Sequence, residues 1–308
     1  MTKRNFGSIS VLAALAMTGP LSAAELGSAD QAIKVAMLEW NGAQISSQII
    51  GKILQNAGYK VEFVTAGNYP HFQGLADGDI NLSPEIWLNN VGEIFPKVLA
   101  EGKVEDLGSL GLETKEGWIY PKFMEEICPQ LPSWEALKDP DCVGQLATPD
   151  TMPNGRFLDY PADWGSRAAT IIADNELPLT AVPSGSEGAM LAELRSAAAA
   201  KTPLIMMFWA PHFILAEVEV GWIEMPPCKE DTNEHCIKAP DVDKVVWSGF
   251  KEKWPAAYEI VKEFRLTTED QQKMMLALDQ GQSLDAVTSG WITDHEAEWK
   301  PWVEAATK

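Results

Sequence analysis

The sequence predicts an α/β protein in two lobes, each a mixed, mostly parallel sheet flanked by helices. Three observations predict it. Between residues 33 and 87, apolar strand-like runs alternate with helix-periodic segments, as in a parallel sheet with helices on its faces. From Gly117 the alternation starts afresh, and it includes Pro203 to Trp209, a charge-free run that reads as a central strand. The chain has 308 residues, more than one compact core usually organises.

The elements justify this in order. Lys3 and Arg4 precede a short apolar run, Ile9 to Met17, and Ser22-Ala23-Ala24 supplies small residues before Glu25. Residues 1–24 are therefore expected to be a secretory signal peptide, with the mature protein in the periplasm. The run is too short to span a bilayer. Ile33 to Leu38 reads as a first strand, left through the turn Glu39-Trp40-Asn41-Gly42. Ile45, Ile49, Ile50, Ile53 and Leu54 follow at helical spacing and stop at Gly58. Tyr59 to Val64 is a strand, a short helix surrounds Phe72 and Leu75, and Ile80 to Trp87 is the next strand.

In the second half, Gly117 to Pro121 is a strand exit, and Ser133 caps a helix beginning at Trp134. Arg167 to Asn175 and Ser186 to Lys201 are helices leading to the Pro203 strand. Val218 to Met225 alternates as a strand, an acidic insertion follows, and three helical segments centred on Tyr258, Met275 and Trp291 to Trp302 close the chain. Residues 25–115 are expected to form the first part of lobe 1. Residues 116–217 form lobe 2, and residues 218–308 return to lobe 1, with an acidic loop at 226–239. The two crossovers are expected near Leu112 to Gly117 and Ala216 to Met225.

Loss of Lys3 and Arg4 with the leader takes the net charge from −20 to −22. So acidic a chain argues against nucleic acid as a partner, because phosphate binding needs clustered Lys and Arg. Four cysteines in an exported chain read as two disulfides with three possible connectivities, of which the local pairing, Cys128 with Cys142 and Cys228 with Cys236, is favoured. No Cys-x-x-Cys, Gly-x-Ser-x-Gly or His-Glu-x-x-His motif is present, and His71, His212, His235 and His295 lie in separate segments. No catalysis and no cofactor are expected. Glu224, Glu230, Asp231, Asn233 and Glu234 are hard oxygen donors around the second disulfide, a candidate structural calcium site without EF-hand spacing.

Twelve tryptophans are the compositional signal. Trp134, Trp222, Trp247, Trp254, Trp291, Trp299 and Trp302 fall in amphipathic or buried patterns and read as packing. Trp40, Trp87, Trp118, Trp164 and Trp209 fall where apolar runs meet turns, where ligands bind in such sheets. Electron-rich ring faces from both lobes could enclose a quaternary ammonium ion, each contributing about 0.5–2 kcal/mol.

Glu39-Trp40-Asn41, Asp79 to Trp87, Gly117-Trp118-Ile119-Tyr120-Pro121-Lys122, Asp159-Tyr160-Pro161 and Phe208-Trp209-Ala210-Pro211-His212, in this order, resemble the substrate-binding proteins of glycine betaine/choline-type ABC transporters. The resemblance covers essentially the whole mature chain. It implies a type II periplasmic binding protein fold that closes over its ligand, a monomer, and a membrane permease and ATPase as partners. It matches the family's cage aromatics to Trp40, Trp87, Trp118 and Trp209, with Trp164 near a segment that supplies further contacts. Asn41 and Gly42 stand where choline binders commonly carry an aspartate, and no arginine adjoins the cage segments, although Arg156 and Arg167 are within reach in sequence. These departures favour a compact ligand such as trimethylamine N-oxide over glycine betaine or choline, and the chain is similar to the trimethylamine N-oxide binding proteins. On this reading Glu39 is the carboxyl that meets the N-oxide oxygen, directly or through a water.

Overall fold

A computed structural model describes residues 26–229 and 235–308. The expected signal peptide lies outside the described residues. So do Glu230, Asp231, Asn233 and Glu234 of the candidate calcium loop.

Two five-stranded sheets form the frame. In the first, β1 (Ile33–Met37), β2 (Val61–Thr65), β3 (Leu82–Trp87) and β4 (Val104–Ser109) come from the start of the chain, and β10 (Val242–Trp247) inserts from its end. Their order is β2-β1-β3-β10-β4. The second sheet holds β5 (Lys115–Pro121), β6 (Gly155–Asp159), β7 (Leu179–Pro183), β8 (Ile205–Ala210) and β9 (Val220–Trp222), in the order β7-β6-β8-β5-β9. Each sheet is evenly mixed rather than mostly parallel. β1 pairs parallel with β2 and β3, while β10 runs antiparallel to both neighbours. β6 likewise pairs parallel with β7 and β8, while β5 is antiparallel to β8 and β9. The departure has one cause in each lobe: the strand entering after a crossover, β5 or β10, runs against the sheet it joins.

The helices, in chain order, are α1 (Asn41–Asn56), α2 (Asn68–Asp77), α3 (Ile94–Ala100), α4 (Pro140–Leu146), α5 (Ala168–Asp174) and α6 (Glu187–Ala200). They continue as α7 (Ile214–Glu217), α8 (Phe250–Lys253), α9 (Pro255–Glu263), α10 (Thr268–Asp279), α11 (Leu284–Asp294) and α12 (Glu296–Ala306). α1 buries Ile45, Ile49, Ile50, Ile53 and Leu54, the periodic set in the sequence, and α9, α10 and α11 pack on it. The C-terminal helices therefore return to lobe 1. Full burial of one such side chain contributes about 1.5–3 kcal/mol. Ser133 does cap a helix, but one of 3-10 type at Trp134–Lys138.

β9 hydrogen-bonds β5 through Ile119–Trp222 and Tyr120–Gly221, so the second sheet runs past residue 217 to Trp222. The second crossover consequently lies between β9 and β10, starting only after Trp222, near the end of the expected Ala216 to Met225. The two crossovers meet where Thr114 donates its hydroxyl to the Pro240 carbonyl. The disulfides are Cys128–Cys142 and Cys228–Cys236, with Cα separations of 5.2 and 5.0 Å. Among the described residues no helix is long and apolar enough to cross a membrane.

Candidate functional site: an aromatic box between the lobes

β3 and β8 are the central strands of their sheets and are buried almost throughout, so the residues at their ends emerge into the cleft. Trp87 ends β3, Trp209 is the penultimate residue of β8, and Trp40 sits at the N-cap of α1 just beyond β1. With Trp164 they line a cavity of about 350 Å³ that includes space at its mouth. Asn68 and Asn90 of lobe 1 and Glu116 and Tyr160 of lobe 2 complete the lining.

The rings stand as walls rather than stacks. Trp164 meets Trp40 at 5.4 Å and 61°, and Trp209 at 5.7 Å and 71°, both edge-on. Tyr160 lies 5.6 Å from Trp209 at 72°. Edge-to-face contact is the favoured arrangement of aromatic quadrupoles, and it leaves ring faces free to line the enclosed space.

The polar ends of the indoles are tied down. Trp40 Nε1 and Trp87 Nε1 both donate to Glu85 Oε1, at 2.8 and 3.0 Å. Ser46 Oγ and Gln271 Nε2 donate to Glu85 Oε2, at 2.6 and 2.8 Å. Burial holds the Glu85 carboxyl above the ordinary carboxylate range, and these four donors offset part of that rise. Gly42 permits the arrangement, because a Cβ there would lie 3.1 Å from Glu85 Oε1 and 3.2 Å from Gln271 Nε2.

Glu116 is the one carboxyl in the lining. It is 5 % exposed and accepts from Asn89 Nδ2 at 2.9 Å and Asn90 Nδ2 at 2.7 Å. Burial pushes its carboxyl up, the two asparagines and the Tyr160 hydroxyl draw it down, and the nearby Asp159 raises it again. Asn68 Nδ2 is already spent on the carbonyls of Asn90 and Trp164.

The lobes are in contact around the box. Asn41 N donates to Glu187 Oε2 at 2.8 Å across the cleft, and Glu187 Oε1 lies 3.0 Å from His212 Nε2. Gly165, at φ +82°, approaches so closely that a Cβ there would stand 2.6 Å from the Asn90 carbonyl oxygen. A side chain at this position would hold the cleft open.

The sequence pointed to six ligand-binding residues, and the fold brings four of them to the cavity: Trp40, Trp87, Trp164 and Trp209. Trp118 does not reach it. In the β5–β8 register Glu116 stands opposite Trp209, whereas Trp118 stands opposite Met207, one pleat deeper, with its ring 4.4 Å from Phe157. Glu39 also lies outside the lining; it is exposed and accepts from Trp164 Nε1 at 3.2 Å, so it holds a wall rather than facing the cavity. Sequence reasoning missed Glu116, Glu85, Asn68 and Asn90 and gave Tyr160 no site role. No local pattern singles out Glu116, which follows Lys115 at the start of β5. For Glu85 the available signal was the two-residue spacing to Trp87, which puts both on one face of a strand.

Glu224 of the candidate calcium loop is held by its backbone, which bridges to Ser133 and Trp134. Among the described residues, no group of three or more His, Cys, Asp or Glu side chains could hold a metal ion.

A profile of the substrate-binding domain of ABC-type glycine betaine transport systems matches residues 31–294. The trimethylamine N-oxide-binding protein of Pelagibacter ubique (strain HTCC1062) is 28% identical over 279 residues, covering 86% of this chain and 88% of that protein. Two solved structures share the fold. One is the glycine betaine/L-proline-binding protein ProX of Borrelia burgdorferi, with TM-score 0.75 and 17% identity over 90% of this chain and 100% of that one. The other is lactococcal OpuAC, closed on glycine betaine, with TM-score 0.70 and 20% identity over 89% of this chain and 100% of that one.

Proposed function

Since the chain belongs to the family of substrate-binding domains of ABC-type glycine betaine transport systems, we propose that it captures trimethylamine N-oxide in the periplasm, between its two lobes, and delivers it to a membrane permease driven by an ATPase. Members of this family bind and release; they are not enzymes. The four tryptophans would hold the methyl-coated cation, which has no N–H to donate and is best bound by several ring faces at once.

One observation carries the choice of ligand: among the described residues, the polar part of the lining contains a single carboxyl, Glu116, and no cationic side chain. The carboxyl is buried and its pKa raised, so it can keep a proton and donate it to an N-oxide oxygen, which only accepts. A betaine carboxylate carries a full negative charge, and no cationic side chain of the lining would neutralise it. The 28% identity to a trimethylamine N-oxide-binding protein supports the same reading.

Glycine betaine is the second reading. A smaller cavity adjoins the box behind Glu116 and Asn90, and Arg167 and Lys238 line it, so a longer ligand could find cations there. Calorimetric titration decides between them. Tighter binding of the N-oxide than of glycine betaine is expected, and the reverse order sinks this ligand choice.

A further inference from the structure

Behind the box, outside its lining, stands a buried carboxyl. Glu85 lies on β3, two residues before Trp87, and is 1 % exposed. Its Oε1 receives both lobe 1 indoles, one from β3 and one from the start of α1. Gln271 reaches Oε2 from α10 and Ser46 from within α1. Three of these donors are N–H groups with no acceptor role, so both oxygens are already engaged as acceptors. No cationic side chain makes an ion pair with it among the described residues, although a buried carboxylate would ordinarily be expected to have one. Lobe 1 thus contains a carboxyl one indole away from the cavity, buried and lacking a counter-ion.

We propose that the ligand's methylated nitrogen is that counter-ion, and that Glu85 is a positioning and specificity-determining residue which makes the box select for positive charge. An N–H donated to a carboxylate leaves its indole richer in π-electrons, and the carboxylate's own field reaches the cavity through low-dielectric material. The same two bonds fix the orientation of Trp40 and Trp87. The inference rests on the proposed capture of a methylated amine, and it adds that shape alone does not explain recognition.

The test separates charge from shape. Tetramethylammonium and choline serve as cationic probes, and 3,3-dimethyl-1-butanol, in which carbon replaces the choline nitrogen, serves as the neutral one. Binding is followed by tryptophan fluorescence on the mature protein. Glu85→Gln keeps an acceptor for both indoles and removes the charge, and a thermal melt checks its fold. The cationic probes should lose on the order of tenfold in affinity, with the neutral isostere nearly unchanged. Equal losses for all three probes, or none, would overturn the proposal and leave Glu85 a structural residue. Failure of the wild-type protein to bind trimethylamine N-oxide or either cationic probe would instead overturn the reading on which it rests. A second measurement needs no variant. The δ-carbon NMR shift of Glu85, assigned through its proximity to the two indole Nε1–H protons, should be that of a carboxylate in the ligand-bound protein at neutral pH. The shift of a protonated acid there would overturn the proposal.

Discussion

Glu187 Oε2 accepts the backbone N–H of Asn41 at 2.8 Å, so a carboxylate of lobe 2 caps a helix of lobe 1. α1 lacks a cap of its own: Trp40 at its N-cap makes no side-chain capping bond, and the first turn contains no acidic residue. Its exposed N–H groups and positive dipole end are matched only when the lobes meet. His212 holds the carboxylate in place. Its Nδ1 accepts from Ile214 N at 3.2 Å, which leaves the proton on Nε2, facing Glu187 Oε1. The cap is therefore a bond that rewards closure and touches no ligand.

Replacing Glu187 should accordingly weaken binding without altering the box. For Glu187→Ala a Kd rise on the order of tenfold is expected, the size of a partly buried helix-terminus charge interaction. It should appear in the dissociation rate, with association little changed, in stopped-flow tryptophan fluorescence. A change confined to association would mean that Glu187 steers the ligand and does not hold the closed form.

Trp209 and Trp118 make a paired control. Trp209→Ala removes a wall of the cavity and should cost at least tenfold in affinity, from one ring face worth about 0.5–2 kcal/mol plus the entry of water. Trp118→Phe alters a ring packed on Phe157 away from the cavity and should leave affinity within about twofold while lowering the thermal midpoint, through lost core contacts. Equilibrium titration of the folded variants checks both.

Glu116 gives binding a pH dependence whose sign is fixed. Its raised pKa means that the proton persists to higher pH than on an ordinary carboxyl. N-oxide affinity should therefore fall as pH rises through that raised value. Glu116→Gln, which always has an N–H to donate, should flatten the profile. Calorimetry from mildly acidic to alkaline pH reads both effects.

A second pH effect concerns stability alone. Asp243 on β10 is pushed up to about 6, first by burial and then by Asp106 beside it. Its ordinary value is about 3.9, so between these values the folded state holds the proton more tightly than the unfolded state. This group's contribution therefore becomes less favourable as pH rises from about 4 through 6. Asp243→Asn should raise the melting midpoint at pH 7.5 by about 2–4 °C, with the gain shrinking toward pH 4.5.

The two lobes were legible because strand and helix periods alternate plainly around Ile33–Leu38, Ile45–Leu54 and Pro203–Trp209. Trp40, Trp87 and Trp209 were legible because strand ends in such sheets face the cleft. Trp118 was misplaced because β5 runs antiparallel to β8, and register, which no local pattern carries, decides which residue stands at the rim. Glu116 lines the cavity, and Glu39 does not, for a related reason. Glu39 adjoins a cage residue in sequence but points to an indole edge, whereas Glu116 reaches the cavity through pairing with Trp209. The crossover through β9 was drawn too early, because a three-residue strand gives almost no period to read.

The central claim is that a trimethylated nitrogen occupies the box with its polar atom toward Glu116. A crystal structure of the protein with trimethylamine N-oxide tests it most directly. The nitrogen should lie within about 6 Å of the ring centroids of Trp40, Trp87, Trp164 and Trp209, with the oxygen at hydrogen-bond distance from Glu116. A ligand seated elsewhere, or one whose oxygen turns away from Glu116, would contradict the account.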